Sequence, residues 1–311
     1  MPQSVPDRDD PTNEGGRPAL RRALAARRLK QADGGLVAGL VGRGIRDSRT
    51  PGMHEAEGTR LGLRYQYLLL DFDQMHLDDG ALSELVLAAE ETGFAGLNVT
   101  HPFKESVVAG LAGLSPEAAA IGAVNTVVLR GGRRIGHNTD CWGFSESFRR
   151  SMNGASMDNV VLLGAGGAGM AVAHALLGLG VARLAIFDII SAKAEALARK
   201  LAPAFGAQRL VATGDIEAAM GKAHGVVNAT PMGMLKYPGT PLPAAWLRPD
   251  IWVADIVYFP TETPLLRAAR DIGCRTLPGV GMAIFQAVKA FELITGVAPD
   301  PDEMTRHFDA A

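Results

Sequence analysis

An α/β fold is what this sequence predicts, and three observations predict it. Short apolar runs alternate with stretches of helical periodicity from residue 35 onward. Glycine is frequent, 37 of 311 residues, against a usual share of about 7%. One glycine cluster joins an apolar run directly to an alanine-rich stretch. Strand–helix alternation of this kind builds a parallel sheet with crossover helices. At roughly 150 residues per domain, the length suggests about two domains.

The elements follow in order. LVAGLVG (36–42) is a short apolar run ending in glycine and reads as a buried strand; 64–73 reads as a second. Residues 79–93 carry Leu82, Leu85, Val86 and Ala89 at helical spacing. A third strand over 94–100 stops ahead of Pro102. A helix over about 103–113 and a strand over 123–130, ending at a Gly131–Gly132 turn, come next. Asp140 is a candidate N-cap for a helix starting near Gly143. A second series has strands at 159–164, 183–188, 224–230 and 251–257. Helices follow the first of these and also run over 191–202 with Ser191 as N-cap, over 264–273, and from about 281 to 294.

The first 34 residues differ. They open proline-, glycine- and charge-rich and predict a disordered extension, with a short basic helix possible over 19–33. Asp7, Asp9, Asp10 and Glu14, with no apolar core, do not fit a targeting peptide.

Composition excludes several classes. Lys and Arg number 31 and Asp and Glu 33, for a net charge of −2, which argues against a surface built for nucleic acid or anionic membrane. No apolar run reaches the 18 or so residues of a transmembrane helix. Two distant cysteines, Cys141 and Cys274, fit neither a disulfide framework nor a clustered zinc site. The seven histidines show no metal-ligand spacing, so no metal is expected. Reduced thiols fit the cytoplasm best.

Gly164, Ala165, Gly166, Gly167, Ala168 and Gly169 follow a strand and open a helix. That is the context a dinucleotide fingerprint requires. Gly164 permits the turn, Gly166 lets the backbone approach a pyrophosphate, and Gly169 allows close packing of helix on strand. The next strand ends at Asp188, placed to take the ribose hydroxyls of NAD. Ile189, Ile190 and Ser191 follow, with no arginine for a 2′-phosphate, and Lys193 is the nearest cation. NAD is therefore favoured over NADP. Ahead of this unit, polar residues gather at strand ends: Ser48, Thr50, Asn98, Thr100, Lys104, Asn125 and Asp140. Open α/β sheets bind ligands there.

Several segments then occur in a telling order. They are Ser48-Arg-Thr50-Pro51-Gly-Met-His, Asn98-Val-Thr-His-Pro-Phe-Lys104, Gly122-Ala-Val-Asn125-Thr, Asn138-Thr-Asp140, Gly164-Ala-Gly-Gly, Asn228-Ala-Thr-Pro-Met-Gly233-Met, Asp255-Ile-Val-Tyr258-Phe-Pro and Gly279-Val-Gly-Met-Ala-Ile-Phe-Gln286. Together they resemble the shikimate dehydrogenase family from about residue 36 to 297. The resemblance implies a substrate-binding domain of residues 35–140 plus 280–311 and a Rossmann domain of residues 141–279.

The resemblance also implies roles. Lys104 and Asp140 would be the catalytic pair. Ser48 and Thr50 would hold the substrate carboxylate. Thr100, Asn125 and Gln286 would bind ring hydroxyls, with Tyr258 near the substrate. Asn228, Thr230 and Met232 would line the cofactor cleft, with Gly279 and Met282 near the nicotinamide. Thr50 where a second serine is commoner, and Asp188-Ile-Ile-Ser191 where an NADP-type Asn-Arg motif is commoner, look like the NAD-dependent quinate/shikimate branch. The implied activity is reversible oxidation of shikimate to 3-dehydroshikimate, of quinate to 3-dehydroquinate, or of both, by a cytoplasmic monomer or homodimer. The alternatives are an NADP-dependent biosynthetic enzyme, a paralogue acting on a related cyclic hydroxy acid, and a non-catalytic ligand-sensing regulator.

Overall fold

The computed structural model describes residues 16–27 and 35–310. Two six-stranded sheets divide the chain. The first contains β1 (Leu36–Gly42), β2 (Tyr65–Asp71), β3 (Gly96–Val99), β4 (Gly113–Leu114), β5 (Thr126–Arg130) and β6 (Arg133–His137), in the order β2-β1-β3-β5-β6-β4. β1 runs parallel to β2 and β3, whereas β5 is antiparallel to both β3 and β6. This sheet is thus mixed, where alternation alone predicts a parallel one. The reversal is local: Gly131 and Gly132, at φ +60° and +70°, make the two-residue turn that joins β5 to β6 as a hairpin.

Alternate residues of β1 serve opposite faces. Val37 and Val41 join the core under α1 (Arg17–Arg27) and α3 (Leu82–Glu91). Ala38 and Leu40 join the core under α2 (Thr50–Arg60), α10 (Val280–Thr295) and α11 (Pro301–Ala310). The C-terminal helices therefore pack back on the first sheet.

The second sheet is wholly parallel. It contains β7 (Asn159–Leu163), β8 (Arg183–Phe187), β9 (Leu210–Ala212), β10 (Gly225–Asn228), β11 (Trp252–Asp255) and β12 (Arg275–Leu277), ordered β12-β11-β10-β7-β8-β9. α6 (Gly167–Gly178) and α7 (Ser191–Phe205) cover one face; α8 (Ile216–Gly221) and α9 (Pro264–Ile272) cover the other. Strand order reverses between β7 and β10, the switch point where such sheets bind ligands. α5 (Thr139–Ser151) ties the halves together. Its Phe144 and Phe148 enter the second core, and its other side lies against α10. Gly143 makes that contact possible, since a Cβ there would stand 2.6 Å from the Gln286 nitrogen.

Four expectations need correction. Disorder through residue 34 does not hold for Arg17–Arg27, a helix that buries Leu20 and Leu24 on α3. Two leucines one turn apart carry that contact within a stretch too basic to read as core, and Arg17 and Arg21 pair with Glu84 and Glu91. The remainder of that extension, residues 1–15 and 28–34, lies outside the described residues. No α-helix covers 103–113; a 3₁₀ turn, Ser106–Gly110, leads into β4 instead. Gly110 and Gly113 weaken a helix there, and only Val107 of the turn is buried. Asp140 is not an N-cap: Asn138 is, its side chain accepting from the Cys141 nitrogen, and Asp140 lies in the first turn of α5. Ser191 is likewise the first helical residue, behind an uncapped Ile190. α2, α4 (Pro116–Ile121), α11 and β6 were not legible. In α2 the internal Gly52 and Gly58 and a largely polar sequence hide the apolar stripe.

Candidate active site

The C-terminal ends of β1 and β3 and the start of α5 converge on one cluster. Lys104, just beyond β3, donates to Asp140 Oδ2 at 2.6 Å. Asp140 is held in the first turn of α5, where the helix N-terminus favours a carboxylate. Its other oxygen accepts from Asn125 Nδ2 at 3.0 Å. Asn125 Nδ2 also approaches Gln286 Oε1 of α10 at 3.4 Å, and Thr139 Oγ1 at 2.9 Å. Its Oδ1 accepts from the Thr139 main-chain nitrogen at 2.7 Å. Both ends of the Asn125 amide are thereby fixed. Asp140 and Asn125 are buried, while Lys104 is partly open. A cation and an anion so placed can share a proton with a hydroxyl in the opening.

Ser48 and Thr50 lie beyond β1 at the start of α2. Thr50 Oγ1 accepts from Ser48 Oγ at 3.2 Å, so two hydroxyls stand side by side. Thr100 follows β3, its nitrogen bonded to the Val41 carbonyl. Tyr258 is 52% exposed on the loop after β11, not hydrogen-bonded to this cluster. Gly279 packs on the same loop, since a Cβ there would lie 2.5 Å from the Ile256 carbonyl carbon. Met282 is buried on the α10 turn that faces Gly143.

Across the cleft, the glycine turn leaves β7 and enters α6. Gly164 sits at φ +96°, with Ala229 O only 2.8 Å from where a Cβ would stand. A Cβ on Gly169 would lie 2.1 Å from the Gly164 oxygen, so the helix seats directly on the turn. Gly166 has nothing within 4 Å of the same position, which leaves the turn open to an anion at a helix N-terminus. Asp188 ends β8 with one carboxylate oxygen accepting from Ala165 N at 2.8 Å and the other from Ile190 N at 2.9 Å. These residues fit a dinucleotide. The two halves of the site approach here, for Glu105, next to Lys104, comes within 3.6 Å of the Gly167 Cβ position.

Asn228, Thr230 and Met232 form a self-bonded loop after β10. Asn228 Nδ2 donates to the Met232 carbonyl, and Thr230 N and Oγ1 both donate to Asn228 Oδ1. Beneath it lies Asp255, which the sequence reading did not single out for a role. Its carboxylate accepts from Asn228 Nδ2 at 2.9 Å, Val257 N at 3.0 Å and Thr263 Oγ1 at 2.7 Å. Burial raises its pKa from 3.8 to about 6. Two more residues stand in the quoted segments but were given no role: Asn98, also noted among polar residues at strand ends, and Thr139. Their hydrogen bonds cross between elements, which spacing does not reveal. Cys141 Sγ lies 3.3 Å from His174 Nδ1, and burial pushes the thiol up to about 12, so it stays protonated. Among the described residues, no group of three or more His, Cys, Asp or Glu side chains could hold a metal, and no helix is long and apolar enough to cross a membrane.

Known proteins with these features can now be set beside the chain. A model of the shikimate dehydrogenase substrate-binding domain matches residues 40–127. A shikimate dehydrogenase (NADP(+)) of Streptomyces avermitilis is 50% identical, covering 86% of this chain and 93% of its own. A quinate/shikimate dehydrogenase (NAD(+)) of Corynebacterium efficiens is 47% identical, covering 88% and 97%. Among solved structures, quinate dehydrogenase from Corynebacterium glutamicum in complex with NAD superposes with a TM-score of 0.84 at 44% identity, covering 89% and 99%.

Proposed function

Because this chain belongs to the shikimate dehydrogenase family, and is thereby an oxidoreductase acting on a CH–OH group, we propose that it is the NAD-dependent kind. Its substrates on this reading are shikimate, quinate or both. The observation that carries the reading is the Asp188 carboxylate, bonded to the glycine turn at Ala165. An anion there accepts from ribose hydroxyls and repels a 2′-phosphate. Ile189, 92% exposed beside it, offers no cation. NADP use is the second reading, and the S. avermitilis relative favours it.

The chemistry assigned to the residues is simple. Oxidising a secondary alcohol removes a hydride from carbon and a proton from oxygen. A bound nicotinamide dinucleotide supplies the hydride acceptor. As the neutral amine Lys104 Nζ takes the hydroxyl proton in oxidation, and as the ammonium it returns that proton in reduction. Asp140 orients the lysine and accepts from a neighbouring hydroxyl. Asn125, Gln286 and Thr100 bind ring hydroxyls. The paired hydroxyls of Ser48 and Thr50 donate to the substrate carboxylate, and Tyr258 closes the rim. The glycine turn over 164–169, with Asn228, Thr230, Met232, Gly279 and Met282, holds the dinucleotide. The substrate domain on this reading comprises 35–140 plus 280–311, and the dinucleotide domain 141–279. On this reading the enzyme is cytoplasmic, a monomer or homodimer; the even charge balance supports only that it works on free small molecules and not on nucleic acid or an anionic membrane.

The test is the initial rate of nicotinamide reduction with shikimate and with quinate, each offered NAD and NADP. NAD is expected to give at least tenfold higher kcat/KM, and Asp188→Asn to narrow that ratio. Turnover with NADP alone would overturn the cofactor reading. Silence with all four pairs would overturn the substrate reading.

A further inference from the structure

Behind the Lys104–Asp140 pair runs a buried chain of polar groups whose outer members, Tyr67, Asn98 and Thr126, the chemistry above does not use. It starts at Tyr67 on β2, whose hydroxyl donates to Asn98 Oδ1 on β3 at 2.7 Å. Asn98 Nδ2 donates to the Asn125 main-chain carbonyl at 3.2 Å and to Thr126 Oγ1 at 3.0 Å. Thr126 Oγ1 donates to Asn125 Oδ1 at 3.3 Å. Asn125 Nδ2 then reaches Asp140. Tyr67, Asn98, Thr126 and Asn125 are all buried.

Main-chain atoms fix the direction of every link. The Thr139 N–H can only donate, so Asn125 turns its oxygen to it and its NH₂ to Asp140. The Asn125 carbonyl can only accept, so Asn98 turns its NH₂ that way and its oxygen toward β2. A buried oxygen needs a donor, and the Tyr67 hydroxyl is the one it has. Burial pushes the Tyr67 pKa up, so the proton stays. Without that hydroxyl, the Asn98 oxygen is left bare. Turning the amide over would set oxygen against the Asn125 carbonyl and withdraw the donor from Thr126.

We infer that Tyr67 is a positioning residue for the Lys104–Asp140 pair, acting through Asn98 and Thr126 on the Asn125 amide. The inference rests on the roles proposed above for Lys104 and Asp140. Tyr65 supplies the control. It lies in the same buried ring cluster around His54, but its hydroxyl meets only His54 Nδ1, at 3.2 Å, off the chain.

Tyr67→Phe, Tyr65→Phe, Thr126→Val and the Tyr67→Phe/Thr126→Val pair decide the matter. Tyr67→Phe should lower kcat roughly two- to twelvefold, which is the fold-change equivalent of about 0.5–1.5 kcal/mol for one such link. The KM for the dinucleotide should not move, and Tyr65→Phe should keep wild-type kcat. The double variant should lose no more than its worse single variant, because both cut one chain. A second readout needs no substrate: the rate at which an amine reagent modifies Lys104, followed by peptide mass spectrometry. Tyr67→Phe should raise it at least threefold and Tyr65→Phe should not. Equal behaviour of the two tyrosine variants in both readouts, or losses that multiply in the double variant, would overturn the inference. Wild-type inactivity on both acids would instead sink the substrate reading, and the Lys104 modification rate would still decide this one.

Discussion

Replacing Asp255 by Asn should change how stability depends on pH. The carboxyl is buried among neutral donors, and burial holds it at about 6 instead of 3.8. A carboxyl held above its unfolded value contributes fully below about pH 3.8 and loses that contribution as pH rises through about 6. At about 1.36 kcal/mol per pH unit, ionised Asp255 costs the fold about 3 kcal/mol at neutral pH. Acidification from pH 7.5 to 5 recovers about half of that, roughly 1–2 kcal/mol. The Asn variant keeps an acceptor for Asn228 and Val257 and has nothing to titrate. The assay is thermal unfolding of both proteins across this range. The stability of wild type relative to the variant should rise by about 1–2 kcal/mol on acidification, or by a few degrees in Tm. Other titrating groups are common to both proteins and cancel. Parallel pH curves would refute the reasoning, and would mean that the three hydrogen bonds to Asp255 offset its burial.

Three further outcomes follow from the geometry. Asp140→Asn should lower kcat by about 10²-fold or more, since it removes the anion that orients Lys104; shikimate binding followed by intrinsic fluorescence should persist, and unchanged kcat would remove Asp140 from the machinery. Gly143→Ala puts a Cβ 2.6 Å from the Gln286 nitrogen and 2.7 Å from the Met282 oxygen; spreading α5 from α10 should cost about 1–3 kcal/mol in denaturant unfolding and lower kcat as Asp140 and Gln286 part. Leu24→Ala, at a fully buried leucine, should cost about 2–5 kcal/mol, whereas an α1 that does not pack would lose nothing.

On the proposed reading, Thr50 is a side chain placed to bear on a quinate-to-shikimate preference. Thr50 adds a methyl beside the two hydroxyls proposed for the carboxylate. Quinate carries an extra tertiary hydroxyl at that end. A Thr50→Ser variant compared with wild type on both acids would therefore read the shape of the pocket more directly than either rate alone.

What the sequence determined by itself is local. The glycine turn, Asp188 at the next strand end, and Lys104 beside a strand end are each set by neighbours within a few residues, and a 3.6- or 2-residue period records them. Four strands of the parallel second sheet were legible for the same reason, β7 and β8 running almost directly into helices, whereas the three-residue β9 and β12 are too short to record a period. Features that depend on residues distant in sequence were set by packing in three dimensions. Leu20 and Leu24 carry too little apolar surface to announce a core helix, and bury it only because α3 is there to meet them. The antiparallel turn of β5 against β3 depends on which edge it finds. Asp140 sits among polar partners instead of capping α5 because Asn138 took the cap and Asn125 and Lys104 bonded to its carboxylate. Tyr67, Asn98 and Asp255 look like ordinary strand residues in the sequence. They become partners only when the fold brings polar atoms from separate strands and loops together in a buried place, where each must find a hydrogen bond.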